Sequence, residues 1–125
     1  MRYLLDTQVL IWAMEKSQRL KSKGKAVIES EKHELWVSVV SVWEMLIKKK
    51  SGGLKVPDTI KEDLAKAGFS ILPLTIDQVL AIDNLPLYHK DPFDRMLVAQ
   101  AQVEDMTLIT ADGKLEKYPV KLLRN

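Results

Sequence analysis

Residues 2–14, RYLLDTQVLIWAM, pass from one periodicity to another with only Asp6 and Thr7 between them. RYLL reads as a short buried strand and QVLIWAM as a helical run. A strand that feeds a helix so directly is the opening of an α/β unit, and the rest of the chain repeats the alternation. A helix with a Lys-rich face fits 22–31, SKGKAVIESE. ELWVS, 34–38, is the next strand, and SVVSVWEMLIKKK, 38–50, a helix entered through Ser38 or Ser41. Gly52-Gly53 stops that helix, with Lys48, Lys49 and Lys50 in the last turn, where cations suit the macrodipole. Asp58 opens an amphipathic helix through Ala67, closed by Gly68. FSILPL, 69–74, is strand-like, and Thr75 caps a helix to about Leu85. HKDPFDRMLVAQA, 89–101, supplies another helix, with Asp91 as N-cap and Pro92 at its first position. TLIT, 107–110, is a fourth strand, and VKLL, 120–123, a possible fifth. The expected fold is α/β, an open and mostly parallel sheet of four to five strands covered on both faces.

Composition narrows the class. At 125 residues the chain is expected to form one domain, residues 1–125, and 46% apolar with 29% charged residues is globular composition. With no cysteine there is no disulfide framework, thiol chemistry or zinc-thiolate site. No apolar run approaches the roughly 18 residues of a membrane span, and the first residues lack a basic region followed by a small-residue cleavage site, so a cytoplasmic location is expected. A net charge of +2 does not by itself imply nucleic acid.

Asp94 is the residue that composition does not explain. On a helix it shares a face with Leu97, Val98 and Ala101, the face normally turned to a core. Glu44 poses the same question inside the apolar run VVSVWEMLI. Ligands of open parallel sheets bind outside the carboxyl ends of the strands, where Asp6 follows the first strand and Asp112 the fourth. Each acid also has a plain structural reading. Asp6 can cap a helix, Glu44 can pair with Lys48, Asp94 can favour a helix dipole, and Asp112 before Gly113 can form a turn. Taken together, four converging carboxylates repel and require a cation. An all-oxygen set suits Mg²⁺ or Mn²⁺ rather than zinc. A site of that kind acts on phosphodiesters, through water activated by the metal and charge neutralised on the phosphoryl oxygens.

The blocks LLDTQVLIW, SVVSVWEMLIKK, LPLYHKDPFDRMLVAQA and TLITAD, in this order and spacing, resemble a PIN domain. The closer resemblance is to the VapC-type ribonuclease toxins of toxin–antitoxin pairs, in the branch with the H-x-D-P-F-D-R signature. It covers nearly the whole chain. It implies a three-layer α/β/α fold and a Mg²⁺-dependent endoribonuclease, usually dimeric and inhibited by a small cognate antitoxin. The metal-binding acids of the family match Asp6, Glu44, Asp94 and Asp112, and Thr110 matches a hydroxyl residue beside the last acid. Gln8 stands where many relatives of this branch have His, and Leu115 where an aromatic is frequent.

Around these acids, Asp91 is an N-cap or an outer acid of the site. His89 either approaches substrate, as a proton donor, or is a solvated loop histidine. Arg95 is expected to hold a phosphate or to pair with Asp91. Lys48 and its neighbours either track an RNA backbone or form a solvated face. Trp12, Trp36 and Trp43 are expected in the core or a dimer interface. The competing function is a PIN-like module that binds RNA or protein without cutting, and retention of all four acids argues against it. A phosphohydrolase with an aspartyl nucleophile needs an acid at position 8, where Gln8 stands. A receiver domain needs paired acids after its first strand, and the chain has one.

Overall fold

A computed structural model describes residues 1–125. Its strands are β1 (Arg2–Leu5), β2 (Glu34–Ser38), β3 (Phe69–Leu72), β4 (Thr107–Thr110) and β5 (Leu122–Arg124). They form one sheet in the order β3-β2-β1-β4-β5, with every neighbouring pair parallel. Six helices cover it: α1 (Thr7–Glu15), α2 (Ser22–Glu29), α3 (Val39–Lys50), α4 (Ile60–Lys66), α5 (Ile76–Ala81) and α6 (Pro92–Glu104). The expected α/β sandwich stands, with a sheet that is wholly parallel.

The strands read as continuous apolar runs because both faces are covered. Tyr3, Leu5, Leu35, Val37 and Ile109 turn to one core, shared with Val9 and Leu10 of α1, Met45 of α3 and Leu64 of α4. Leu4 and Leu108 turn to the other, under Leu97, Val98 and Ala101 of α6. Adjacent strand residues thus serve opposite cores, as the two-residue period requires.

Several boundaries differ from the sequence reading. Asp58 does not open α4; it is fully exposed near Lys49, and a turn in which Ile60 N–H donates to Pro57 O precedes the helix. The strand FSILPL ends at Leu72, since Pro73 cannot donate to a ladder. The helix after Thr75 ends at Ala81 and tightens into a 3₁₀ turn, Ile82–Asn84, before Pro86. Its start is as expected: Thr75 and Gln78 form a reciprocal capping box. The fifth strand exists but begins at Leu122, paired with Leu108.

From β1 the chain builds outward to β2 and β3 on one side, while β4 and β5 lie on the other. The carboxyl ends of β1 and β4 therefore flank the point where the strand order reverses, the place where open sheets leave a crevice.

Candidate metal centre

Asp6 is the first residue after β1. Its N–H donates to Ile109 O at 2.9 Å, which fixes it between β1 and β4, and its Oδ1 accepts the Val9 N–H at 2.8 Å. Asp112 lies two residues beyond β4. Its N–H donates to Thr110 Oγ1 at 3.0 Å, and its Oδ1 accepts the Lys114 N–H at 2.9 Å. Asp94 is in the first turn of α6, set there by Asp91, whose Oδ1 accepts from Phe93 and Asp94 N–H at 2.8 and 3.1 Å. Glu44 comes from α3, which Ser38 begins by accepting the Val40 N–H. The capping roles and the convergence coexist.

All four acids, with Asp91, line one cleft of about 440 Å³. Thr7, Gln8, Lys48 and Ala111 complete its wall, so one of nine lining residues is apolar. Asp6 is only 4% exposed, and burial pushes its pKa up to about 6, with the charges of Asp94 and Asp112 adding to the rise. The Thr110 hydroxyl and the Val9 N–H pull it partly back. Burial likewise raises Asp94, reinforced by Asp91 and Glu44 and opposed by His89. Two cations or donors offset the crowding. Lys48 Nζ lies 3.4 Å from Glu44 Oε2, and His89 Nε2 lies 2.8 Å from Asp94 Oδ2 and 3.1 Å from Asp112 Oδ2.

The offset is incomplete. Glu44 Oε1 is buried with no hydrogen-bond partner, an expensive state for a carboxylate oxygen unless something positive meets it. An oxygen-only set of acids with one orphaned oxygen suits a hard divalent ion. Asp94, Asp112 and His89 offer ligand atoms within 4.8 Å of one another, and Asp6 and Glu44 line the same cleft.

Two sequence expectations change. Arg95 neither reaches the cleft nor pairs with Asp91. One position on from Asp94 is about 100° around the helix, and its guanidinium donates instead to Pro86 O at 2.9 Å, Leu85 O at 3.4 Å and Tyr118 Oη at 3.1 Å. His89 is not a solvated loop histidine: its side chain is 14% exposed and sits on two of the acids. The H-x-D-P-F-D spacing held the clue, because Pro92 and the Asp91 cap turn the chain back over its own helix start. Of the tryptophans, Trp12 and Trp36 are half-buried, whereas Trp43 is 58% exposed and meets the Phe93 ring edge-on.

Comparison with known proteins agrees with this picture. A family model described as PIN domain matches residues 3–121. Among solved structures, VapBC2 of Rickettsia felis bound to a promoter DNA fragment aligns with a TM-score of 0.72 at 14% identity, over 99% of this chain and 98% of that one. A toxin–antitoxin complex from Klebsiella pneumoniae aligns at 0.67 and 22% identity, over 97% and 95%. VapBC-5 of Mycobacterium tuberculosis aligns at 0.63 and 17%, over 99% and 98%. At these identities the likeness is one of fold. No curated protein matches by sequence.

Proposed function

The chain belongs to the PIN-domain family, and from that premise we propose that it is a metal-dependent endoribonuclease, a single domain acting as the toxin of a toxin–antitoxin pair. One observation carries the reading: four carboxylates from four separate segments converge on a cleft and are left short of positive charge, with Glu44 Oε1 buried and unpartnered. A module that only binds has no use for so costly a cluster. The ion is Mg²⁺, with Mn²⁺ as a substitute, held by Asp6, Glu44, Asp94 and Asp112. When bound, it neutralises charge developing on a phosphoryl oxygen and makes water a competent nucleophile.

The protein's own residues supply the rest. Asp6, 4% exposed, accepting from the Val9 N–H and beside Thr110, is the most buried acid and forms the floor of the cleft. Lys48, at the wall, offers a positive group to the phosphate backbone of RNA and holds Glu44 in place. Asp91 sets the start of α6 and so the direction of Asp94.

The partner reading rests on the opposite flank of α3. Val39, Trp43 and Leu46 of α3 border an apolar groove of about 450 Å³ with Ile60, Leu64 and Ile71. An antitoxin segment that lays an Arg or Lys among the four acids, with apolar residues beside Trp12 and Trp43, would cover both features. Of the solved relatives named above, that from Klebsiella pneumoniae is a toxin–antitoxin complex, and VapBC-5 of Mycobacterium tuberculosis is a member of the VapBC family of toxin–antitoxin systems. A homodimer fits the second exposed apolar set, Ile76, Val79 and Leu80 on α5. No helix is long and apolar enough to cross a membrane. A cytoplasmic location is part of the proposal and follows from its action on cellular RNA.

The test is cleavage of RNA, DNA and a phosphomonoester with Mg²⁺ and with chelator. RNA alone should be cut, and only with the metal. Equal turnover of the phosphomonoester, or RNA cleavage that persists in chelator, would refute the proposal.

A further inference from the structure

One imidazole nitrogen touches carboxylates delivered by two different elements. His89 Nε2 reaches Asp94 Oδ2, from the start of α6, and Asp112 Oδ2, from the turn after β4, at 2.8 and 3.1 Å. Both of its neighbours are acceptors, so the proton belongs on Nε2 and is shared between them. His89 is not among the residues that line the cleft. With Asp94 and Asp112 its Nε2 lies close enough to reach an ion directly, but a nitrogen whose N–H is committed to both carboxylates has no lone pair left for one, which makes His89 a group that orients ligands rather than a ligand.

The loop that carries His89 is itself held. Its backbone N–H donates to Tyr118 Oη at 3.0 Å, and the same phenol oxygen accepts from Arg95 Nη1 at 3.1 Å. Arg95 also donates to Pro86 O and Leu85 O, at the start of that loop. Tyr118 is 3% exposed and follows the 3₁₀ turn (Gly113–Lys117) that begins at Asp112. Arg95 adjoins Asp94 and Tyr118 closes the turn after Asp112; Tyr118 holds the backbone of the residue that touches both acids, and Arg95 holds Tyr118.

We propose that His89 is the positioning residue of the metal centre, setting the separation of the Asp94 and Asp112 carboxylates, and that Arg95 and Tyr118 act through it. The inference rests on the metal-dependent reading above. Without the shared N–H, two adjacent carboxylates repel and rotate apart, and the metal must reassemble them. Partners that orient metal-binding side chains typically change metal affinity by about 10–100-fold.

The test is calorimetric titration with Mn²⁺ and with Mg²⁺, each alone, of the wild type, Asp6→Asn, His89→Leu, His89→Gln, Tyr118→Phe and the double variant His89→Leu/Tyr118→Phe. His89→Leu should weaken both ions by the same factor, roughly tenfold or more. His89→Gln keeps an N–H donor and should recover most of the loss. Tyr118→Phe, which removes only the hydroxyl, should weaken binding severalfold alone and add nothing once His89 is gone, because both act by one route. Unchanged or tighter binding by His89→Leu, or losses that add in the double variant, would overturn the proposal. So would a larger loss for Mn²⁺ than for Mg²⁺, the mark of an imidazole that is itself a ligand. If the wild type and Asp6→Asn titrate alike, the metal centre fails and this inference with it. Wild-type binding together with an unaffected His89→Leu sinks the inference alone.

Discussion

Helix α3 separates two regions that break the ordinary rule of burial in opposite directions. On one flank, Glu44 faces a cleft whose lining has five carboxylates and one apolar side chain. On the other, Val39, Trp43 and Leu46 border a groove in which seven of eight lining residues are apolar. The first buries charge and the second exposes hydrocarbon. Their internal support differs more than their polarity does. Each acid in the cleft except Glu44 is held by a backbone N–H or by His89, whereas the exposed α3 side chains of the groove, Val39, Trp43 and Leu46, are apolar and have no such bonds. A region that costs energy and is rigidly held has work to do within the chain. A region that costs little and is loosely held waits for something outside it.

The sharpest way to break this contrast is to neutralise the cleft without reshaping it. Asp94→Asn keeps the size of the side chain and should lower RNA cleavage a thousandfold or more, the equivalent of several kcal/mol at about 1.4 kcal/mol per tenfold. Circular dichroism should show the same fold. Cleavage at the wild-type rate would make Asp94 a structural acid and place the cleft on the same footing as the groove.

A smaller effect reads the cost of the cleft directly. In metal-free protein Asp6 has its pKa raised to about 6 from 3.8 by burial. A raised acid binds its proton more tightly folded than unfolded, so its contribution is complete below about pH 4 and is lost as pH rises through 6. The loss is about 3 kcal/mol. Chelator-treated wild type should therefore lose stability relative to Asp6→Asn between pH 4 and 7, measured by urea unfolding. Parallel pH profiles for the two proteins would show that Asp6 is not a buried charge in solution.

The same physics explains what was legible beforehand. Both-face burial of β1, β2 and β4 writes continuous apolar runs into the sequence, so the layers and the parallel sheet could be read directly. Asp6, Glu44, Asp94 and Asp112 stood out because each charge interrupts or follows an apolar run. His89 did not, since the H-x-D-P-F-D spacing hints at Asp94 alone and nothing local brings Asp112 beside it. Arg95 was misread for a related reason. Its neighbour Asp94 faces the cleft, and only the rotation of the helix sends the guanidinium to Tyr118 instead. The Asp58 start of α4 failed because Pro57 inserts a turn first. Periodicity reports what an element buries, and is silent about contacts made between loops.

Metal should remove the strain that pH reveals. An ion that binds only the native state stabilises it by about 2.7 kcal/mol at a hundredfold excess over Kd, roughly a 10 °C rise in melting temperature for a chain of this size. Wild type should show this rise with Mn²⁺ and Asp6→Asn should not. A variant of the groove should shift as the wild type does. Equal shifts in wild type and Asp6→Asn would reduce the effect to general ionic strength.

The smallest expected effect is the one that defines the groove. Leu46 is 44% exposed on α3, with its neighbours Val39 and Trp43 also exposed. Lysine is as good a helix former as leucine, and a solvent-facing substitution away from caps and cores ordinarily changes stability by no more than about 0.5 kcal/mol. Leu46→Lys should accordingly melt with the wild type, titrate Mn²⁺ with the wild type and cut RNA at the same rate. What it should lose is the partner, because a lysine in the middle of an apolar groove must be desolvated when a hydrophobic segment docks. The pairing is measured by co-purification with the proposed antitoxin, sought among short reading frames adjacent to this one, or by inhibition of cleavage with it. Full inhibition of Leu46→Lys would move the partner off this flank of α3. Lost stability in the isolated variant would mean that the groove already supports the fold, and the two sides of the helix would no longer differ in kind.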